Sequence, residues 1–162
     1  MHFVALAQLL ILLSLANGSP VIAKLIFGEA YALPIDCDVH FIDGRPLLGR
    51  SKTIRGVVVS LLVTAMGAPL IGLQFKIGLL VAATTMAGDL LSSFLKRRFG
   101  LTPSSRATGL DQIPEALFPL LACRSVLSLT LVDIAAGCAI FFVGEILLSR
   151  VFFRLRLRDR PY

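Results

Sequence analysis

The stretch "IGLLVAATTMAGDLLSSFLKRRFG", residues 77–100, contains the feature that decides the fold. Residues 77–86 carry no charge, Asp89 follows within the same apolar run, and Lys96-Arg97-Arg98 end it. An ionised side chain in hydrocarbon costs several kcal/mol, roughly 2.5–3.5 on insertion scales. A carboxylate placed there usually has a partner and a function, and the rest of the chain should identify both.

The whole chain has the composition of an integral membrane protein. Of its 162 residues, 56% are hydrophobic and 16% are charged, whereas soluble domains average about 25% charged residues. A helix needs about 20 apolar residues to cross a bilayer. The sequence therefore predicts one all-α domain with five transmembrane helices, at residues 3–27, 57–73, 77–95, 113–132 and 134–153.

The basic residues are concentrated in alternate predicted loops. Of the sixteen Lys and Arg residues, four lie in residues 28–56, four in residues 96–112 and five in residues 150–160. With five spans these segments share one side of the membrane, and the positive-inside rule makes that side cytosolic. We therefore expect an N-out, C-in protein of the cell membrane whose two long loops face the cytoplasm. Orientation accounts for the net charge of +6, which is thus no indication of nucleic-acid binding.

The N-terminal run and the small residues give weaker indications. No Lys or Arg precedes residues 3–16, as one normally does in a signal peptide, so we expect the first span to remain in the mature protein. The Gly- and Ala-bearing faces of the spans permit close helix contacts, including those of a homo-oligomer. The cysteines lack CxxC spacing and imply neither a metal nor a disulfide; they are Cys37, Cys123 and Cys138.

The first predicted cytosolic loop is "PIDCDVHFIDGRPLLGRSKTIRG" at residues 34–56. It is rich in Asp, Gly and basic residues, unlike a simple connecting loop. Residues 44–51 come close to the P-loop pattern, but Arg50 replaces the Lys, Pro46 interrupts the turn and no buried strand precedes it. We therefore reject a P-loop. A solvated basic loop would explain the Arg residues, but it would not explain the three acids among them, Asp36, Asp38 and Asp43.

The end of this loop has the side chains of a phosphate site. Lys52, Thr53 and Arg55 are phosphate-binding residue types, and Arg55-Gly56 opens the next helix. A helix N-terminus favours an anion. The sequence therefore predicts that a phosphate group binds where this loop enters the second span.

The acid in the third span belongs to a polar stripe. On a helix Asp89, Ser92 or Ser93, and Lys96 share one face, because residues three and four apart are neighbours. The next loop supplies a second acid, Asp111. Two carboxylates among phosphate-binding cations suit Mg²⁺ carrying a nucleotide polyphosphate. A salt bridge from Asp89 to Lys96 or Arg97 that only anchors the helix fits the same residues equally well.

Four motifs together resemble a known family. They are "NGSP" in the first span, "PID…FIDGRPLLGRSKTIRG", "GDLLSSFLKRR-G" and "LDQIPEAL". From about Asn17 to Pro119 the chain is similar to CDP-archaeol synthases, the short five-span branch of the CTP:phosphatidate cytidylyltransferase superfamily. It departs from the larger enzymes after the "KR" block, where "GLTPSSRATG" replaces a Lys-Asp pair and a His-Gly-Gly run. This departure leaves the number of bound metals open.

The resemblance implies that CTP and a membrane lipid phosphate react to give a CDP-lipid and pyrophosphate. It implies that Asp89 and Asp111 bind Mg²⁺ and that Lys96 is catalytic. Phosphate and substrate contacts are implied for Asn17, Lys52, Thr53, Arg55, Ser93, Arg97 and Arg98. For Asn17 a helix kink satisfied by a neighbouring helix is an equally good interpretation.

Other interpretations of the chain stay open from its sequence. A non-catalytic membrane protein that retains the fold is one, and a small transporter lined by Asp89 is another. Arg124 and Glu145 are further intramembrane charges, which we expect to form a structural pair. The lipid tails, ether-linked isoprenoid or diacyl, leave no trace in the sequence because Leu, Val, Phe and Ala would contact either.

The topology can be tested by single-cysteine labelling in a cysteine-free background. Positions 45, 97 and 156 are expected on one side of the membrane and position 76 on the other. An impermeant thiol reagent added from outside should therefore modify only position 76. Labelling at position 45 or 97 from outside would contradict both the orientation and the cytosolic site.

Overall fold

The computed structural model describes residues 2–101 and 109–154, apart from the side chains of residues 149–154. This part of the chain is helical, and its only β-pairing consists of two isolated bridges. The helices are α1 (Phe3–Phe27), α2 (Ile54–Leu70), α3 (Phe75–Arg98), α4 (Gln112–Ala122) and α5 (Leu131–Arg154).

The first three helices form an antiparallel unit. α1 packs along α2 and α2 packs along α3, while α4 lies against α3 and α5. Small residues allow the close approach: a Cβ added to Gly78 of α3 would lie 2.6 Å from the Thr64 carbonyl of α2. The core between the helices is built on the buried leucines of α1, which are Leu6, Leu9, Leu12 and Leu13.

The predicted all-α membrane fold is confirmed, but its element lengths differ from the prediction. Within the described part of the chain, three helical segments are long and apolar enough to cross a membrane, namely α1, α3 and residues 131–148 of α5. α2 has 17 residues, beginning at Ile54 rather than at residue 57. The number of spans and their orientation therefore remain predictions.

The prediction of a fourth helix over residues 113–132 is wrong. α4 has 11 residues and ends at Ala122, which is about half the length that crosses a bilayer. Residues 123–130 turn instead, and Ser128 has a positive φ of 53°. α5 then starts early because Thr130 and Asp133 cap it reciprocally: Thr130 N donates to Asp133 Oδ2 at 3.0 Å and Asp133 N to Thr130 Oγ1 at 3.2 Å.

The same shortening separates the two charges expected to pair. Arg124 lies exposed in the turn after α4, close to the start of α5. Glu145 lies fourteen residues beyond Leu131, which is about 20 Å further along the helix axis. Glu145 is instead near enough to Glu115 of α4 to interact with it electrostatically. The predicted Arg124–Glu145 pair is therefore not formed.

The loop between α1 and α2 is folded around an acid. Asp36 accepts hydrogen bonds from the backbone N–H groups of Leu48 and Gly49, both at 2.9 Å. Burial opposes its ionisation, but these bonds hold the pKa of Asp36 below its usual range. The loop is closed at its base because Ile35 N donates to Lys52 O at 2.9 Å. The acids of this loop thus have structural partners, which accounts for their presence among the arginines.

Gly88 controls the contact between α3 and α4. A Cβ at this position would overlap the Pro114 carbonyl and lie 2.8 Å from Glu115 N. Both obstacles are backbone atoms, so neither can move aside without shifting α4. The adjacent residues Asp89 and Glu115 are consequently brought together by this close approach.

Gly88→Ala should therefore lower the thermal stability of the purified protein, by about 1–3 kcal/mol, as overpacking of a filled interface does. Gly144→Ala on α5 is the matched control, because a Cβ there meets nothing within 4 Å. Equal melting temperatures for the two variants would show that α4 does not pack against Gly88.

Candidate active site

An ion pair joins the loop to α3. Lys52, in the last turn of the loop before α2, places its Nζ 2.5 Å from both carboxylate oxygens of Asp89. The two side chains are 20% and 21% exposed. Burial opposes the charge on the amine, but Asp89 outweighs that effect, so the pKa of Lys52 is raised above its usual value. Lys52 is therefore a cation at neutral pH, in contact with the acid of the third span.

A second ion pair lies about two turns further along α3. Lys96 Nζ is 2.7 Å from Asp111 Oδ1, and the two side chains are 10% and 22% exposed. Asp111 precedes the first residue of α4, so this pair holds the start of α4 against the end of α3. Asp111 also acts electrostatically on Lys52 and on the buried Arg97. The two pairs thus form one charged cluster.

Glu115 is a site residue that the sequence pattern did not single out. It is buried on α4, and its Oε2 accepts a hydrogen bond from Asn17 Nδ2 of α1 at 3.0 Å. Its carboxyl group also lies near enough to that of Asp89 for the two to interact electrostatically. The available signal was its position inside the predicted fourth span, since an ionisable residue at membrane depth is by default a functional candidate.

The cluster has the chemistry of a site for a divalent cation and phosphates. Asp89 and Glu115 lie close to each other, and two neighbouring carboxyl groups need a proton or a cation between them. Among the described residues, no group of three or more His, Cys, Asp and Glu side chains has metal-binding geometry. A small set of carboxylate oxygens, completed by phosphates and water, is nevertheless what Mg²⁺ prefers. The donors of Asp89 and Asp111 therefore fit this ion, and the neighbouring lysines fit the phosphates.

The structure separates the predicted site residues into two groups. The first group lies in the charged cluster and consists of Asn17, Lys52, Asp89, Lys96 and Asp111. Arg97 and Ser93 are buried beside this group on α3. The interpretation in which Asp89 pairs along its own helix with Lys96 or Arg97 is wrong, because Lys52 and Asp111 are the partners actually used.

The remaining predicted residues contact backbone atoms or side chains outside the cluster. Thr53 caps α2, accepting a hydrogen bond from Gly56 N at 3.1 Å. Arg55 donates to the carbonyl oxygens of Gly28, at 2.9 Å, and of Ala30. Arg98 contacts the loop, including Asp43 at 2.5 Å. These three side chains order the elements that surround the cluster.

Sequence comparison agrees with the motifs. The family described as CarS-like CDP-archaeol synthase matches residues 3–77 and 67–162, which together cover nearly the whole chain. The chain belongs to the CDP-archaeol synthase family. The resemblance expected from the four motifs is thereby confirmed, and the family match extends beyond Asn17 and Pro119 in both directions.

Individual members of the family show the extent of the similarity. The CDP-archaeol synthase of Sulfurisphaera tokodaii is 35% identical over 153 residues, which cover 91% of this chain and 89% of that protein. That of Pyrococcus furiosus is 40% identical over 107 residues, 60% of each chain. A solved structure, described as an intramembrane enzyme for archaeal membrane lipids biosynthesis, has a TM-score of 0.72 and 25% identity and covers 86% of this chain and 91% of that one.

The contribution of the Lys52–Asp89 pair to the stability of the fold can be tested by mutation. Lys52→Met leaves Asp89 and Glu115 together without their cation, so the free energy of unfolding should fall by roughly 3 kcal/mol, as when one partner of a buried pair is removed. Lys52→Met combined with Asp89→Asn should recover part of this loss. Thermal denaturation in detergent measures both effects.

The control is Arg50→Met, which breaks the Arg50–Asp38 pair of the same loop, where the side chains are 82% and 52% exposed. Exposed pairs contribute about 0–1 kcal/mol. If Lys52→Met is no less stable than this control, the Lys52–Asp89 contact does not stabilise the fold.

Proposed function

We propose that this protein is a CTP-dependent cytidylyltransferase that converts a membrane lipid phosphate to its CDP-lipid with release of pyrophosphate. The observation that carries the proposal is the cluster of two Lys–Asp pairs, Lys52–Asp89 and Lys96–Asp111, where three helices meet. Two anions must meet in this reaction, and a cluster of alternating acids and bases supplies both a cation site and phosphate contacts. Membership of the CDP-archaeol synthase family supports the same reaction.

The nucleophile needs no activation by the protein. The lipid phosphate is a monoester whose second pKa is about 6, so it is already a dianion near neutral pH. One of its oxygens attacks the α-phosphorus of CTP while the bond from that phosphorus to the β-phosphate oxygen breaks and pyrophosphate departs. No proton has to be removed in this step. The task of the side chains is to position the two anions and to stabilise the charge of an in-line transfer.

The residues of the cluster divide this task. Lys52 and Lys96 would hold the phosphates of CTP and of the lipid, with Arg97 and Ser93 beside them. Asp89 and Asp111 would hold Mg²⁺, which when bound neutralises polyphosphate charge and orients the leaving group. In the structure the lysines and aspartates neutralise one another. The cluster is therefore preorganised, because each charge needed for the substrates already has a fixed position.

Asn17 and Glu115 support Asp89 from the membrane side of the cluster. Asn17 donates to Glu115, and Glu115 acts electrostatically on Asp89. A carboxylate fixed in this way costs less to reorganise when a metal-bound polyphosphate arrives. Asn17 thus belongs to the site through Glu115.

We propose an archaeol-type ether lipid phosphate as the lipid substrate and a cytoplasmic opening for the site. The names of the similar proteins from Sulfurisphaera tokodaii and Pyrococcus furiosus support the first. The excess of basic residues in the segments around the cluster supports the second. Comparing turnover of the ether lipid phosphate with that of a diacyl phosphatidate measures the preference directly.

Asp89→Asn tests the metal assignment. The amide keeps the shape but leaves Lys52 without its carboxylate partner, so the melting temperature should drop while the protein still inserts and folds. Incorporation of radiolabelled CTP into lipid should nevertheless fall by at least about 100-fold, because a neutral amide is a poor Mg²⁺ ligand. Asp111→Asn should behave alike, and the double variant should be little worse than either, since residues that act as one unit are non-additive.

The matched control is Asp38→Asn, which removes an acid from an exposed pair of the same loop and should leave turnover unchanged. Melting temperature and CTP turnover are measured on the same preparation of each variant. A folded Asp89→Asn protein that keeps the wild-type CTP turnover would refute the metal role. Absence of any CDP-lipid from the wild-type protein with either lipid would leave a non-catalytic membrane protein or a transporter as the better interpretation.

A further inference from the structure

Arg98, the last cation of α3, has different partners from Lys96. Arg98 is buried to about the same degree as the pair-forming lysines, with 16% of its side chain exposed. One terminal nitrogen lies 2.5 Å from Asp43 Oδ1, and the other donates to the carbonyl oxygens of Pro46 at 2.7 Å and Arg45 at 3.4 Å. All these partners belong to the tip of the loop between α1 and α2.

Two aromatic rings flank the same guanidinium. Its central carbon lies 4.5 Å from the ring centroid of Phe41 in the loop and 5.0 Å from that of Phe94 on α3. The two rings meet edge to face, with centroids 5.5 Å apart. A planar guanidinium suits this arrangement because it stacks on rings while donating in its own plane, which an ammonium group does not.

A second arginine, Arg45, extends from the loop to α3, whereas Arg98 extends from α3 to the loop. Arg45 of the loop donates to the carbonyl oxygen of Arg98 at 2.6 Å and to that of Arg97 at 3.4 Å, at the C-terminus of α3. Gly100 leaves room for it: a Cβ there would lie 3.2 Å from the Arg45 guanidinium, and the φ of Gly100 is +71°. We name the set Phe41, Asp43, Arg45 and Arg98 the loop clasp.

We infer that Arg98 is a positioning residue, which holds the loop closed against α3 so that Lys52, at the far end of that loop, and Lys96, on α3, stay aligned for the phosphates of CTP. The inference rests on the proposed function and differs from the direct phosphate contact that the family motif implies for Arg98. Its terminal nitrogens already have partners, and its Nε is buried. The clasp ties the two segments that supply Lys52 and Lys96 to one rigid position.

A double-variant cycle on steady-state kinetics separates the two roles. If the clasp positions the loop, Arg98→Gln and Asp43→Asn should each raise KM for CTP, Arg98→Gln by about ten-fold as expected for loss of charged hydrogen bonds. The double variant should be no worse than Arg98→Gln alone, and Arg98→Lys should fail to restore the wild-type KM. If Arg98 bound phosphate directly, Asp43→Asn would be silent and Arg98→Lys would rescue; either result would overturn the inference.

Amide hydrogen exchange supplies a readout that does not depend on activity. Arg98→Gln should speed exchange in residues 36–49 while leaving α1 unchanged, and unaltered exchange would overturn the inference. Arg50→Gln, which removes the same charge from an exposed pair of this loop, should change neither exchange nor KM. Should Arg98→Gln not fold, the milder Phe41→Leu and Asp43→Asn variants carry the same comparison.

The two proposals fail in different ways. A wild-type protein that makes no CDP-lipid would overturn the proposed function, while hydrogen exchange would still report on the clasp. An active wild-type protein whose Asp43→Asn and Arg98→Gln variants keep the wild-type KM for CTP would overturn the clasp and leave the proposed function intact.

Discussion

The constraint on which the site depends is the close approach of two acids, Asp89 and Glu115, inside an apolar helical bundle. Asp89 and Glu115 meet because Gly88 lets the backbone of α4 touch α3. Two acids in that position are unfavourable without compensation. Lys52 supplies a cation from the loop, Asn17 supplies a donor from α1, and Lys96 acts on Asp89 from about two turns further along α3. Four parts of the chain are therefore held in place by the electrostatic needs of one pair of acids.

The sequence was sufficient for the class of fold and for part of the site. Hydropathy located the helices, because a run of apolar residues needs no knowledge of its neighbours. Asp89 and Asp111 stood out as acids in or beside apolar segments, and both lie in the cluster. The length of α4 could not be obtained in this way, since residues 123–130 carry a single charge and only the capping by Thr130 and Asp133 marks where α5 begins.

The partners of the charged side chains could not be predicted from the sequence, for a physical reason. Neighbour rules along a helix relate residues three or four apart, and applied over two turns they place only α3 residues, such as Lys96, on the face of Asp89. The actual partner, Lys52, is 37 positions away in another element. Glu115 finds Asn17 at a separation of 98 positions. Arg98 follows Lys96 and Arg97 in the sequence but contacts the loop. The reason is that consecutive side chains of a helix point to different sides.

The Asn17–Glu115 contact also has a consequence for the biogenesis of the protein. A chain made from its N-terminus has α1 and the loop available first, and Lys52 can neutralise Asp89 as soon as α3 has emerged. Glu115 follows more than twenty residues later, and its place beside Asp89 is defined only by partners already present. Insertion of α4 is therefore the step that completes the polar interior, and a nascent chain halted before it would have Asn17 without its acceptor.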